Sequence, residues 1–391
     1  MDKEYKIVYE LPGWISKERP KIMLILVVLL ISTMVLVSAC TPQEPAEHQE
    51  DAEAAGLEHD DEDEHNESGP DAHFKFVGLE GLADLQVSGR LAFLRQLPDG
   101  QAMMILNMVT GEVETAFQAP PYAWITGATL AGDGSGYLLA YAPPPAEGGA
   151  QSGYTELSLL PLGGGDLELA VGRTKDKQAF SAPQWTPNGG FIYFNYYEVK
   201  GEGQTEAQYS VGRQGFPNGE LEILVENAIW PRLSADGSRL VYVTILSGVE
   251  ENELFVLDLS DEDRAPRKIV LPEELPIVDA PLFSPDGQMI YFSAQSPEEA
   301  VPLSWLERLT GVQVARAHNV PSDWWRVPVT GGEPERLTEI FQSGMYAAFS
   351  PDGNHLAFIS SAGLHVMPAD GGEVLTLIEA PDFYGTLDWT P

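Results

Sequence analysis

Cysteine is almost missing from this chain. There is one, Cys40, in 391 residues, so no internal disulfide and no thiolate metal cluster can form. Basic residues are scarce too: 22 Lys and Arg stand against 59 Asp and Glu, a formal net charge of −37. That balance excludes a general nucleic-acid binder, which needs clustered cations to meet phosphate, and it disfavours a peripheral grip on anionic lipid. Histidine is thin, with only His318, His355 and His365 after residue 73. No phosphate loop, dinucleotide fingerprint, zinc-helix motif or calcium loop occurs, so no cofactor and no structured metal site are expected. Gly132-Asp-Gly-Ser-Gly136 looks like a nucleophile elbow, but Asp133 rather than Gly stands two residues before Ser135, and the pattern fails.

A long hydrophobic run is lacking as well. Ile22–Val37 is free of charge for 16 residues, short of the about 20 that a spanning helix needs. Five bases precede it (Lys3, Lys6, Lys17, Arg19 and Lys21), and Val37-Ser38-Ala39-Cys40 follows. A basic segment, an apolar segment and small residues in that order fit a secretory leader. The last four residues resemble the bacterial lipobox, whose cysteine is diacylated and becomes the first residue after cleavage. The resemblance implies lipidation at Cys40 and a lipid anchor on the extracytoplasmic face of the cell membrane; an uncleaved signal anchor is the alternative. Residues 41–73 hold 13 acids, four His and no Lys or Arg. Such a stretch cannot bury a core and is expected to be a self-repelling tether. His59 and His65, which bracket an acidic run, are weak candidates for collecting divalent cations.

What the chain has in quantity is turn residues, 38 Gly and 30 Pro, and from residue 74 they recur in register. Phe349-Ser-Pro-Asp-Gly-Asn-His-Leu-Ala-Phe358 reads strand, turn, strand: Pro351 presets φ, Asp352 bonds its own backbone and Gly353 takes positive φ. Pro281–Phe292 matches it closely. Pro231–Tyr242 keeps Asp-Gly, Pro183–Phe194 uses Asn-Gly, and Thr129–Ala140 and Leu85–Phe93 are looser copies. The turn glycines are Gly89, Gly134, Gly189, Gly237, Gly287 and Gly353, spaced 45, 55, 48, 50 and 66 residues apart. A second theme follows each turn: a short apolar strand, a polar turn and a fourth strand, as in Trp325–Leu337 and Leu364–Leu375. Four short strands per 40–50 residues is the pattern of propeller blades. Recurrence also makes Asp236, Asp286 and Asp352 turn residues rather than paired catalytic acids.

Phe/Trp-Ser-Pro-Asp-Gly followed by Gly331-Gly-Glu-Pro-Glu-Arg-Leu-Thr338 resembles the TolB-type β-propeller repeat, over about residues 80–391. The resemblance implies an all-β fold, a six-bladed β-propeller of four-stranded antiparallel blades. Gly385–Pro391, a seventh copy of the inner strand, is expected to close the ring. Leu82–Val87 competes for that place, so seven blades remain the alternative. The expected division is a leader over 1–39, a lipidated cysteine and tether over 40–73, and a propeller over 74–391 with a lid-like insertion at 296–322. Within the insertion, 297–311 reads as a short amphipathic helix.

In propellers of this type, the loops entering each first strand open on one face and the Asp-Gly turns lie on the other. The first set carries Tyr122, Trp124, Phe180, Trp230, Asp279, Tyr346, Phe383 and Tyr384. An aromatic mouth of this kind can stack on sugar or grip peptide. The insertion adds Trp305, His318, Asp323 and Trp324 as partner-binding candidates. The role that the resemblance implies is a membrane-anchored, extracytoplasmic and monomeric module that binds an envelope protein or an extracellular ligand without catalysis, as TolB itself binds lipoprotein partners. The alternative is a carbohydrate- or peptide-processing enzyme, or a sugar-binding module, that uses the mouth of the central channel.

Overall fold

The computed structural model describes residues 74–146, 153–200, 206–245, 252–261, 265–295 and 320–391. Cys40, the tether with His59 and His65, and most of the insertion with Trp305 and His318 lie outside them. Strand β1 (Phe74–Phe76) is followed by a 3-10 turn and a one-turn helix, α1 (Leu82–Leu85). The first blade contributes β2 (Arg90–Leu97), β3 (Gly100–Asn107) and β4 (Val113–Gln118). The second has β5 (Trp124–Leu130), β6 (Gly136–Ala142), β7 (Glu156–Pro161) and β8 (Glu168–Val171). In the third are β9 (Gln178–Trp185), β10 (Phe191–Lys200), β11 (Glu206–Gly215) and β12 (Leu221–Glu226). The fourth runs β13 (Ala228–Leu233), β14 (Arg239–Ile245), β15 (Asn252–Asp258) and β16 (Arg267–Ile269). The fifth has β17 (Val278–Phe283), β18 (Met289–Gln295), β19 (Ser322–Pro328) and β20 (Glu335–Arg336). The sixth has β21 (Tyr346–Phe349), β22 (His355–Ser360), β23 (Gly363–Pro368) and β24 (Val374–Glu379), and β25 (Phe383–Thr390) ends the chain.

Six sheets result, and the chain ends cross over between two of them. Strand β25 is the innermost strand of the first blade, in the order β25-β2-β3-β4, while β1 adds a fifth, outermost strand to the last blade beside β24. The β25–β2 ladder is antiparallel, with Arg90 opposite Thr390 and Ala92 opposite Asp388; β1 runs parallel to β24. Closure of this kind removes the free sheet edge that would otherwise invite pairing with another chain. At its rim the Arg95 guanidinium forks onto Asp382, at 2.9 and 2.8 Å, and lies over the Phe383 ring. The seven-blade alternative does not hold. Leu82–Leu85 is helical, and the buried Leu82 packs between the last and first blades.

The core is divided among the interfaces between neighbouring blades. Phe180 and Phe194 of the third blade meet Leu138 and Leu157 of the second. Leu282, Tyr291 and Trp324 of the fifth meet Leu356 and Phe358 of the sixth. This corrects two site expectations. Trp324 is fully buried in that interface, against Phe358. Asp323, also fully buried, binds Arg336 at 2.8 Å and accepts hydrogen bonds from the Ile340 amide and the Thr338 hydroxyl. Successive side chains of a strand point to opposite faces of its sheet, and both of these are enclosed, so neither can grip a partner. Phe180 is likewise an interface residue rather than part of a mouth.

The repeated turn holds itself together and its neighbour. In three copies the Ser hydroxyl donates to the Asp carboxylate at 2.6 Å: Ser234 to Asp236, Ser284 to Asp286 and Ser350 to Asp352. The same carboxylate accepts the amide two residues on, and the Ser oxygen accepts the amide that opens the next strand. These bonds hold the three carboxyls below their ordinary range, that of Asp236 at about 2. The turn glycine then lies against the turn proline of the preceding blade. A Cβ on Gly237 would come 2.8 Å from Pro187, and one on Gly353 would come 3.0 Å from Pro285. Around the closure, Gly89 faces Pro351 and the Thr390 carbonyl. The proline and glycine of the motif thus belong to two successive blades.

Ser350→Ala and Ser284→Ala each remove a hydrogen bond to a carboxylate from a buried position and are expected to lower unfolding free energy by about 1–2 kcal/mol. Denaturant melts check this. Asp133→Ala, in the looser turn that has Ala131 in place of Ser, is expected to change stability by less than either.

Candidate functional site

The inner strands β25, β5, β9, β13, β17 and β21 surround the central channel. Most of them are irregular. Pairing slips between Ile229 and Arg232, between Asp279 and Leu282, and at the equivalent places in β5, β9 and β25. The cause is legible in Ala182-Pro183, Trp230-Pro231 and Ala280-Pro281. Proline has no N–H for the ladder, so the strand bulges there. The residue before each proline sits at positive φ: 46° for Ala182, 60° for Trp230 and 44° for Ala280. In two blades that residue is Ala. In the fourth it is a tryptophan, for which this conformation costs of the order of 1–3 kcal/mol.

Trp230 is held from two other blades. Its amide donates to Asn195 of the third blade at 2.7 Å. Its ring meets Tyr346 of the sixth blade edge-on, with centroids 5.1 Å apart. The pair therefore bridges over the fifth blade, where the residue at the bulge is only Ala280. Asp279, just before that bulge, is buried and accepts the Ala280 amide at 2.9 Å. Burial, and then the Asp279 carboxylate, push the Tyr346 phenol well above its ordinary range.

One layer nearer the Asp-Gly turns, the inner strands carry a ring of equivalent positions, each two residues before the turn Ser, Thr or Ala: Thr129, Gln184, Arg232, Leu282, Ala348 and Asp388. Two of the six are charged, and they come from opposite blades, the fourth and the first. Asp388 accepts the Leu130 amide at 2.5 Å and the Thr129 hydroxyl at 3.1 Å, while Thr386 beside it bonds both backbone groups of Ala128. Burial raises the Asp388 carboxyl above its usual range, against the pull of those donors and of Arg232. Burial lowers the Arg232 guanidinium, which feels Asp388 and Tyr346 in return. Both residues belong to the innermost strands of their sheets, β13 and β25.

The sequence-based candidates thus separate. Trp230, Asp279 and Tyr346 come together at the channel. Trp124 opens β5 and is exposed, and Tyr122 stands in the loop before it at 77% exposure. Tyr384 is half-buried with its hydroxyl enclosed, and burial drives its phenol far up. Arg232 and Asp388 escaped sequence reasoning, although aligning the turns shows them as the two charged residues in their column. His365 is no acid–base candidate. It is buried between Ser360, at 2.9 Å, and Thr376, at 3.1 Å, and burial pushes its imidazole down to about 3. Among the described residues no group of three His, Cys, Asp or Glu side chains is placed to hold a metal.

No family model and no curated protein matches the chain. Among solved structures it matches TolB from Acinetobacter baumannii at 14% identity and a TM-score of 0.56, over 78% of this chain and 67% of that one. A TolB-type protein from Agrobacterium tumefaciens matches at 18% identity and a TM-score of 0.51, over 78% and 99%. At these identities the likeness is one of fold, and the six-bladed propeller is common to them. Enzymes are also among the matching structures, one of them an oligogalacturonate lyase in complex with manganese, at 11% identity and a TM-score of 0.47, over 77% and 75%. The expectation of a binding module without catalysis is therefore corrected. Turn motifs describe the scaffold and do not rule chemistry in or out.

The histidine assignment makes a prediction with a definite sign. Below an unfolded pKa near 6.5 the unfolded chain takes up a proton that folded His365 refuses, so stability falls as pH drops toward 3, by up to about 1.4 kcal/mol per pH unit. Compared with wild type in denaturant melts between neutral pH and about pH 4.5, His365→Gln is expected to lose that part of the acid slope.

Proposed function

We propose that the central channel is the working site of this protein, and that it binds and processes a carbohydrate or peptide. The observation that carries the reading is Trp230. A bulky aromatic held in left-handed backbone geometry, where the neighbouring blades use alanine, places an indole against Tyr346. Strain of this kind persists only where surrounding structure enforces it, and it concentrates at binding sites. Aromatic faces suit the apolar faces of sugars and peptide side chains. The charged residues lie a layer deeper than the mouth where the sequence suggested a site. A carboxyl raised by burial, as in Asp388, is a proton donor nearer neutral pH than an exposed one. A guanidinium such as Arg232 stabilises negative charge on a bound group. Trp124, Tyr122 and Tyr384 are the residues for the approach from the loop face.

The same proposal places the propeller outside the cytoplasmic membrane, tethered through diacylated Cys40. The leader pattern and the acidic 41–73 segment support that placement. Among the described residues no helix is long and apolar enough to cross a membrane. Incorporation of labelled fatty acid, lost in Cys40→Ala, is the expected result for the anchor.

For the channel, the full-length protein is incubated with a panel of oligosaccharides and peptides, and products are read by mass spectrometry. Turnover that drops at least about tenfold in Asp388→Asn and in Trp230→Ala, with folding intact, is the expected outcome; tenfold corresponds to about 1.4 kcal/mol of barrier. Turnover indifferent to both substitutions contradicts a channel site.

A further inference from the structure

We propose that the channel recognises a carboxylate, with Arg232 as its anchor, so that the ligand is an acidic sugar or a peptide with a free carboxyl group. This deepens the channel reading above and rests on it.

The first support is the state of Arg232 compared with its fellows. The chain carries far more acids than bases, and its structured arginines find them readily. Arg90, Arg95, Arg173, Arg213, Arg326 and Arg336 each bind a carboxylate, Arg267 donates to the Val329 carbonyl, and Arg239 lies over the Phe283 ring. Arg232 does none of these. Among the described residues no carboxylate lies within the 4.0 Å of an ion pair, and no group accepts a hydrogen bond from its guanidinium. It is nonetheless only partly exposed and sits on the innermost strand of its blade, where leaving a cation unpaired costs free energy. An arginine kept in that state is preorganised for an anion that arrives from outside.

The second support is geometry. Asp388, the carboxylate facing Arg232 from the opposite blade, is held on its own side by the Leu130 amide and the Thr129 hydroxyl. Those bonds restrain it from swinging across to Arg232. A carboxylate matches the planar fork of a guanidinium with two parallel hydrogen bonds, which a neutral amide or hydroxyl cannot do. Asp388 then accepts from a hydroxyl or ammonium of the same ligand, while Trp230 and Tyr346 cover its carbon skeleton. The overall charge of −37 repels anions at a distance. Selection for a carboxylate is therefore made by short-range contact in the channel and not by steering.

The test uses matched pairs on the full-length protein in isothermal titration calorimetry. One arm compares glucuronate with glucose, and oligosaccharides of each. The other compares short peptides with free and amidated C-termini. The expected result is that the carboxylate member of one pair binds at least about tenfold more tightly than its neutral partner, equivalent to about 1.4 kcal/mol. Arg232→Met should abolish that preference and Arg232→Lys should keep part of it, with thermal melts confirming that both fold. The arm that shows the preference identifies the source of the carboxylate. Neutral members binding as well as their acids, unaffected at Arg232, would overturn the carboxylate proposal and leave the channel reading standing. If neither acids nor neutral members bind in either arm at millimolar concentration, both fall together.

Discussion

The pairing of β25 with β2 is the contact on which the rest of the ring depends. A propeller blade cannot bury its two faces alone; each interface needs the next blade, and the last interface exists only if the chain's ends meet. Here they meet twice. The C-terminal strand supplies the inner edge of the first blade, and the N-terminal strand supplies an outer edge to the sixth. The split shows even in the turn motif, since Thr390-Pro391 and Gly89, far apart in sequence, jointly make the turn that other blades make from four consecutive residues. The closure also delivers Asp388 to the channel opposite Arg232. Both charged members of the inner ring are therefore in place only when the ring is shut.

Within the ring, stability and site chemistry use different parts of the same strand. The end near the turn is governed by Ser-x-Asp-Gly bonding and by glycine–proline contact between successive blades. That set of contacts repeats, so no single copy has a special function. The middle of the strand is where the blades depart from one another. Bulges at Ala182-Pro183, Trp230-Pro231 and Ala280-Pro281 share one backbone device, but only the fourth blade spends it on a large side chain. Irregularity imposed by proline on a repeated scaffold is a route to an asymmetric site in a near-symmetric fold.

The sequence announced its architecture through turn chemistry, because Pro-Asp-Gly constrains φ locally and needs no distant partner to be read. Six blades and a closing strand followed from counting those turns. The seventh candidate, Leu82–Val87, misled because a short apolar run does not reveal its period, and its first four residues are helical. Asp323 and Trp324 misled differently. They stand beside an insertion, which suggested a surface, whereas both are enclosed on opposite faces of their strand, Asp323 against Arg336 and Trp324 against Phe358. Arg232 and Asp388 were visible as letters, but their relation was not. One sits on the fourth blade and the other on the first, 156 positions later in sequence, and only closure of the ring makes them face each other.

The most direct measure of this account is hydrogen–deuterium exchange across β25 and β2 in the native protein. Closure predicts that the amides paired between Phe383–Thr390 and Arg90–Leu97 exchange as slowly as those inside β14 and β18, through global unfolding alone. Exchange of β25 and β2 well ahead of the other blades, as a fraying end would give, would contradict both the closed ring and the channel site built upon it.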